Sequence, residues 1–170
     1  MAINSASGRK QIMINLKELK QFIIKANIPH ATGVAVIHKE KNGSHTITFS
    51  EGNWSMEDNF FGGEPYGGQQ VIYYKKAPVW ICVYYGRVHD TILSPDKVYD
   101  FLRESLQHPP KEQPLRGPVS YKRGDLEYQN KIKGDVDNYS GKEVILENGK
   151  QIYWAKYLGG LVDQRFKDSL

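Results

Sequence analysis

Few residues in this 170-residue chain are placed to do chemistry. Glu57, Asp58 and Glu64 lie around one glycine-rich stretch, and Asp135 and Asp137 lie beside another. Carboxylates brought together in pairs hold a divalent metal or divide acid and base roles between them, so a small enzyme is one functional class in play. Asp near glycine is also an ordinary turn former, and solvated turns are the preferred reading, with no metal site assigned. His30, His38, His45, His89 and His108 have no zinc-protease spacing, and His89-Asp90 lacks the helical context of a phosphohydrolase dyad. No nucleophile elbow, nucleotide-binding lysine loop or dinucleotide glycine fingerprint is present, so any cofactor stays unknown at this stage. Cys82 is the only cysteine, which excludes an intramolecular disulfide and a multi-cysteine metal site. It reads as a small buried hydrophobe, because no histidine is placed locally to activate it.

Aromatic residues offer the other kind of site. Trp80, Tyr84, Trp154, Lys156 and Tyr157 fall on two long apolar runs and form the candidate ligand-binding set. Lys156 stands where the first run has Val83, and a lysine among aromatic walls is poorly hydrated and suited to an anion. The competing reading is a lysine snorkelling on an outer face. Aromatics beside basic residues also stack nucleic-acid bases, yet alternating aromatics serve sheet packing just as well.

These residues need elements to position them. Asn15 is a helix cap with Glu18 three positions on, and Leu16, Leu19, Phe22, Ile23 and Ala26 share a helical face, which predicts a helix over 16–26 ended by Pro29 and Gly33. From Val34 the period becomes two, and Asn42-Gly43 predicts a hairpin between "VAVIHKE" and "HTITFSE". Further strands are predicted over 53–61, 69–75 and 78–88. Ser94-Pro95 opens a second helix whose stripe is Val98, Phe101, Leu102 and Leu106, stopped by "HPPKEQP". "GDLEYQNKIKG" reads as a strand, and "KEVILENGKQIYWAKYLGG" as a hairpin turning at Asn148-Gly149.

The two halves align with each other. Gly52/Gly124, Gly62/Gly134, Tyr66/Tyr139, Gly68/Gly141, Val71/Val144, Ile72/Ile145, Tyr84/Tyr157 and Gly86/Gly159 are identical pairs. Glycines recurring at fixed offsets from strands set backbone geometry, by positive φ or close approach at turns. A phosphate cradle would instead need a helix directly after them. The expected architecture is α+β: two helices packed on a bent antiparallel sheet built by internal duplication, with repeat units of about 15–90 and 94–162 and pseudo-two-fold symmetry. Residues 1–12 read as a flexible leader, and 13–170 as a single domain with 39% hydrophobic content to fill its core.

The segments "EGNWSMEDNFFGGEPYGGQQVIYYKKAPVWICVYYGRV" and "YQNKIKGDVDNYSGKEVILENGKQIYWAKYLGGLV" resemble a bacterial and archaeal domain of unknown function. That domain occurs alone or behind the helix-turn-helix of XRE-type transcriptional regulators. The resemblance implies a sensing or regulatory module and assigns no activity. The expectation is therefore a cytoplasmic binding or regulatory module for a small ligand or protein partner, with the acidic-turn enzyme as the alternative. The net charge of +4 is spread along the chain and argues against a nucleic-acid partner; neither a secretion signal nor a membrane span is visible.

Overall fold

The computed structural model describes residues 13–92 and 94–162. Helix α1 (Leu16–Ala31) leads into β1 (His38–Lys39), β2 (His45–Glu51), β3 (Trp54–Gly62), β4 (Tyr66–Tyr74) and β5 (Ala77–Val88). Helix α2 (Asp96–Leu106) then leads into β6 (Ser120–Arg123), β7 (Leu126–Asp135), β8 (Asn138–Glu147) and β9 (Lys150–Leu161). The predicted leader, residues 1–12, lies outside the described residues. No helix among those residues is long and apolar enough to cross a membrane.

Local chemistry accounts for most boundaries. The Asn15 side chain accepts from the Lys17 and Glu18 amides at 3.0 and 3.4 Å, satisfying donors that the first helical turn leaves free. Helix α1 does not stop before Pro29 as expected. It runs on to Ala31, because a proline in the last turn removes only one hydrogen bond there, and the Thr32 hydroxyl closes the end by donating to the Ile28 carbonyl at 2.8 Å. The Val34 and Ala35 amides both donate to the Pro29 carbonyl, so the predicted strand from Val34 shrinks to His38–Lys39. Helix α2 starts one residue later than expected, with Pro95 as its cap. Asn148 and Gly149 both take positive φ, 50° and 80°, as a type I′ hairpin requires.

The strands form one antiparallel sheet in the order β1-β2-β3-β4-β5-β9-β8-β7-β6. The long strands β5 and β9 pair at its centre, with Tyr84 opposite Tyr157. Both helices cover the same face. Leu19, Phe22 and Ile23 of α1 pack on Ile47, Met56, Ile72 and Trp80, while Val98, Phe101 and Leu102 of α2 pack on Tyr128, Ile145 and Tyr153. Strand alternation puts Trp80, Cys82 and Tyr84 on this covered face and Val83 and Tyr85 on the other, which is why the latter pair is exposed. The apolar run over 78–88 is therefore buried on one face and partly exposed on the other.

Gly86 and Gly159, expected at turns with positive φ, lie inside strands without it. What excludes a side chain there is close approach: a Cβ on Gly86 would stand 2.8 Å from the Tyr66 hydroxyl, and one on Gly159 2.0 Å from the Ile81 carbonyl oxygen.

Candidate functional site

A cleft opens where α1, α2 and the 107–117 connection meet the centre of the covered sheet face. Its inner part is a cavity of about 60 Å³ and its mouth one of about 250 Å³, and His30, Asp58, Tyr84, Leu106 and Arg116 line both. Register places the polar residues. Asp58, Gln70 and Cys82 stand side by side across β3, β4 and β5, one row from Tyr84 and Tyr157. Trp80 and Tyr139 close the inner end, with rings stacked at 5.8 Å.

Two hydrogen-bonded clusters meet the cleft. In the first, the Arg116 guanidinium donates to Glu143 through Nη2 at 2.6 Å and Nε at 3.1 Å. Glu143 is fully buried and also accepts from the Tyr128 and Tyr153 hydroxyls at 2.7 and 2.9 Å. The Tyr153 hydroxyl lies 2.6 Å from that of Tyr66. A buried carboxylate with a bidentate cation and two hydroxyl donors is fully compensated, so this cluster locks the second half of the sheet to the connection. Arg116 itself takes a left-handed φ of 72°, an uncommon conformation for a side chain of this size.

The second cluster is less complete. Asp58 is 7% exposed and accepts from the Tyr84 hydroxyl at 2.5 Å, and among the described residues it has neither another hydrogen bond nor an ion pair. Burial raises its carboxyl to about 6, against the pull of the Tyr84 hydrogen bond and the Arg116 charge. His30 keeps an exposed edge, yet desolvation of its ring against the cleft lowers it to about 4, helped by the positive charges of Arg116 and Arg103, so it is neutral at physiological pH. Among the described residues the Tyr139 hydroxyl has no hydrogen-bond partner, and the weakly polar Cys82 thiol is its neighbour. Burial pushes that thiol up to about 11, which fits the expected inert packing role.

The expected ligand-binding residues divide between the two sheet faces. Trp80, Tyr84 and Tyr157 line the cleft, with the Trp80 indole donating to the Val136 carbonyl at 2.8 Å. Trp154 and Lys156 point the opposite way, because they are one residue out of step with Tyr153, Ala155 and Tyr157, and Lys156 is exposed. The acidic residues do not come together either. Asp58 is no solvated turn but a buried position inside β3, whereas Glu57 meets Tyr73 on the other face. Glu64 accepts from the Val88 amide and Tyr99, and Asp135 pairs with Lys20 at 3.0 Å. Among the described residues no three His, Cys, Asp or Glu side chains are grouped to hold a metal ion. Sequence reasoning missed His30, Arg116 and Glu143. A signal existed for Glu143, which stands in the second half where Gln70 stands in the first, an acid directly before the apolar run Val144-Ile145-Leu146.

An α+β protein with helices on one face of an open antiparallel sheet, and a polar cleft beneath them, is the class that fold and site define. Residues 58–162, more than half of the chain, match the family described as Domain of unknown function (DUF5680), and the chain belongs to it. No curated protein matches the chain.

Proposed function

We propose that the cleft binds a small ligand and that the chain is a cytoplasmic binding or regulatory module, of the kind found alone or behind an XRE-type helix-turn-helix in bacteria and archaea. The support is Asp58. Among the described residues it is a buried carboxylate with one hydrogen bond and no paired cation, which is costly, and it lines an opening that also contains the unpartnered Tyr139 hydroxyl. Among the described residues both cations that line the cleft are already paired, Arg116 with Glu143 and Arg103 with Asp100, which leaves little to draw an anion. What its free acceptor favours is a ligand presenting hydrogen-bond donors, such as an amine or amide, with tyrosines and Trp80 as walls. The test is a thermal-shift screen of small amines, amides and carboxylates against the wild type, Asp58→Asn and Leu106→Trp. Donor-bearing compounds are expected to raise the melting temperature of the wild type alone. Shifts confined to carboxylates, or retained in both variants, would count against the cleft.

We also propose that the sheet arose by duplication about a pseudo-two-fold axis between Tyr84 and Tyr157. Several features support this. The positions equated by the sequence repeat, Tyr84 and Tyr157, are direct cross-strand partners, and the register shifts after Ile72 in β4 and after its equivalent Ile145 in β8. The Tyr84–Asp58 hydrogen bond also has a counterpart, Tyr157 donating to Asn130 at 2.5 Å.

A further inference from the structure

Lysines on the face away from both helices stand in register. Lys131 of β7 is directly opposite Lys142 of β8, Lys142 is opposite Lys156 of β9, and Lys156 is opposite Tyr85 of β5. Neighbouring strands are about 4.8 Å apart, so three like charges form one row across three adjacent strands. Like charges directly opposite each other destabilise a sheet. All three side chains are exposed, and none is in an ion pair among the described residues. Lys133 adds a fourth cation to the same face, and a shallow groove of about 620 Å³ runs along the row. The row ends on aromatic surface: Tyr85 is 46% exposed and lies 5.8 Å from Trp154, whose ring also carries the Lys156 ammonium at 6.0 Å.

We propose that this face binds single-stranded nucleic acid, with the lysine row following the phosphates and Tyr85 and Trp154 stacking bases. Charge selects the class of occupant. A second copy of the chain would bring lysines against lysines, whereas a polyanion relieves their repulsion. The aromatic end selects within polyanions, since bases have flat π faces and a lipid headgroup or acidic peptide does not. The net charge alone gave no reason to expect this, because the cations are scattered in sequence and only strand register collects them. The face is separate from the cleft, so its role does not depend on a ligand there.

Fluorescence anisotropy with labelled oligothymidylate and oligouridylate tests the proposal, the two probes separating DNA from RNA. Between about 50 and 200 mM salt the wild type should bind with an affinity that falls steeply, by about 0.7 log units per log unit of salt for each neutralised phosphate. Lys142→Ala with Lys156→Ala should weaken binding at least tenfold and flatten that slope by roughly 1.4. Tyr85→Ala should weaken it by about tenfold while leaving the slope unchanged, a split that a purely electrostatic surface does not produce. The lysine variants should melt at or above the wild-type temperature, which separates lost binding from lost folding. Absent oligonucleotide binding overturns the proposal. So does binding unaffected by the lysine changes, or equal binding to polyglutamate or phosphatidylserine vesicles that Tyr85→Ala leaves intact. Sedimentation velocity addresses the second-copy alternative: a dimer disrupted by Tyr85→Ala, without oligonucleotide binding, also overturns it.

Discussion

The most informative residue is Asp58, and its counterpart in the other half shows why. Asn130 accepts from Tyr157 and donates through Nδ2 to the Leu115 and Gly117 carbonyls at 3.0 and 3.2 Å, so every polar atom of that buried amide is occupied. Asp58 has a similar place and, among the described residues, only the Tyr84 hydroxyl. An acid whose folded value rises from 3.8 to about 6 destabilises the folded state above pH 6, and that penalty disappears as pH falls toward 4. His30 acts in the opposite sense: lowered from 6.5 to about 4, it costs stability as pH falls through that range. Because His30 is exposed and Asp58 is not, water screens the histidine's share and the acid dominates the pair. Asp58→Asn removes the acid and leaves the histidine, and should stabilise the chain by about 1–3 kcal/mol at pH 7 but not at pH 4. Urea denaturation at both values measures this, and equal stability at pH 7 would mean the carboxylate is solvated. At this scale the sequence was half legible. Tyr84 and Tyr157 stood out through the repeat, but Asp58 resembled a turn residue because its burial depends on α1 and the 107–117 connection folding over it. Trp154 and Lys156 were grouped with them because proximity in sequence hides strand parity.

At the scale of elements, what was legible is what short-range chemistry decides. Asn15 placed the start of α1, and Asn148-Gly149 placed the β8–β9 hairpin with its required positive φ. The misread pieces depend on distant partners. Val34 and Val36 alternate like a strand, yet they and Ile37 remain 74%, 68% and 51% exposed, because the backbone at Val34 and Ala35 is drawn to the end of α1 and β1 pairs only briefly with β2. The docking of α2 shows the same dependence. Both Glu64 oxygens accept from the Val88 amide at 3.0 Å while Oε2 also accepts from the Tyr99 hydroxyl, tying the β3–β4 connection to the end of β5 and to α2. Glu64→Ala leaves a partly buried amide without its acceptor and should cost about 1–3 kcal/mol. Hydrogen exchange should show faster exchange in α2 and at the end of β5 than in α1. Uniform acceleration would mean that α2 is held by its apolar stripe alone.

Across the whole molecule, the two halves are bonded to each other along the centre of the sheet. The β5–β9 pairing joins them through backbone hydrogen bonds, and the Tyr66–Tyr153 pair joins them through hydroxyls. Trp80 is the deepest of these links: its indole donates to the Val136 carbonyl, and its ring stacks on Tyr139, both in the second half. At 2% exposure, Trp80→Ala should cost about 3–5 kcal/mol, as large aromatic truncations in packed interiors do. The informative quantity is where the loss falls. If the halves folded independently, protection would drop in β3 and β4 and persist in β7 and β8. Because the Trp80 side chain belongs to both, amide exchange should accelerate to a similar extent in the two sets of strands, and thermal unfolding should remain a single transition whose calorimetric and van't Hoff enthalpies agree. A second transition in Trp80→Ala, with β7 and β8 still protected, would show that the central pair of strands joins two units that are stable apart.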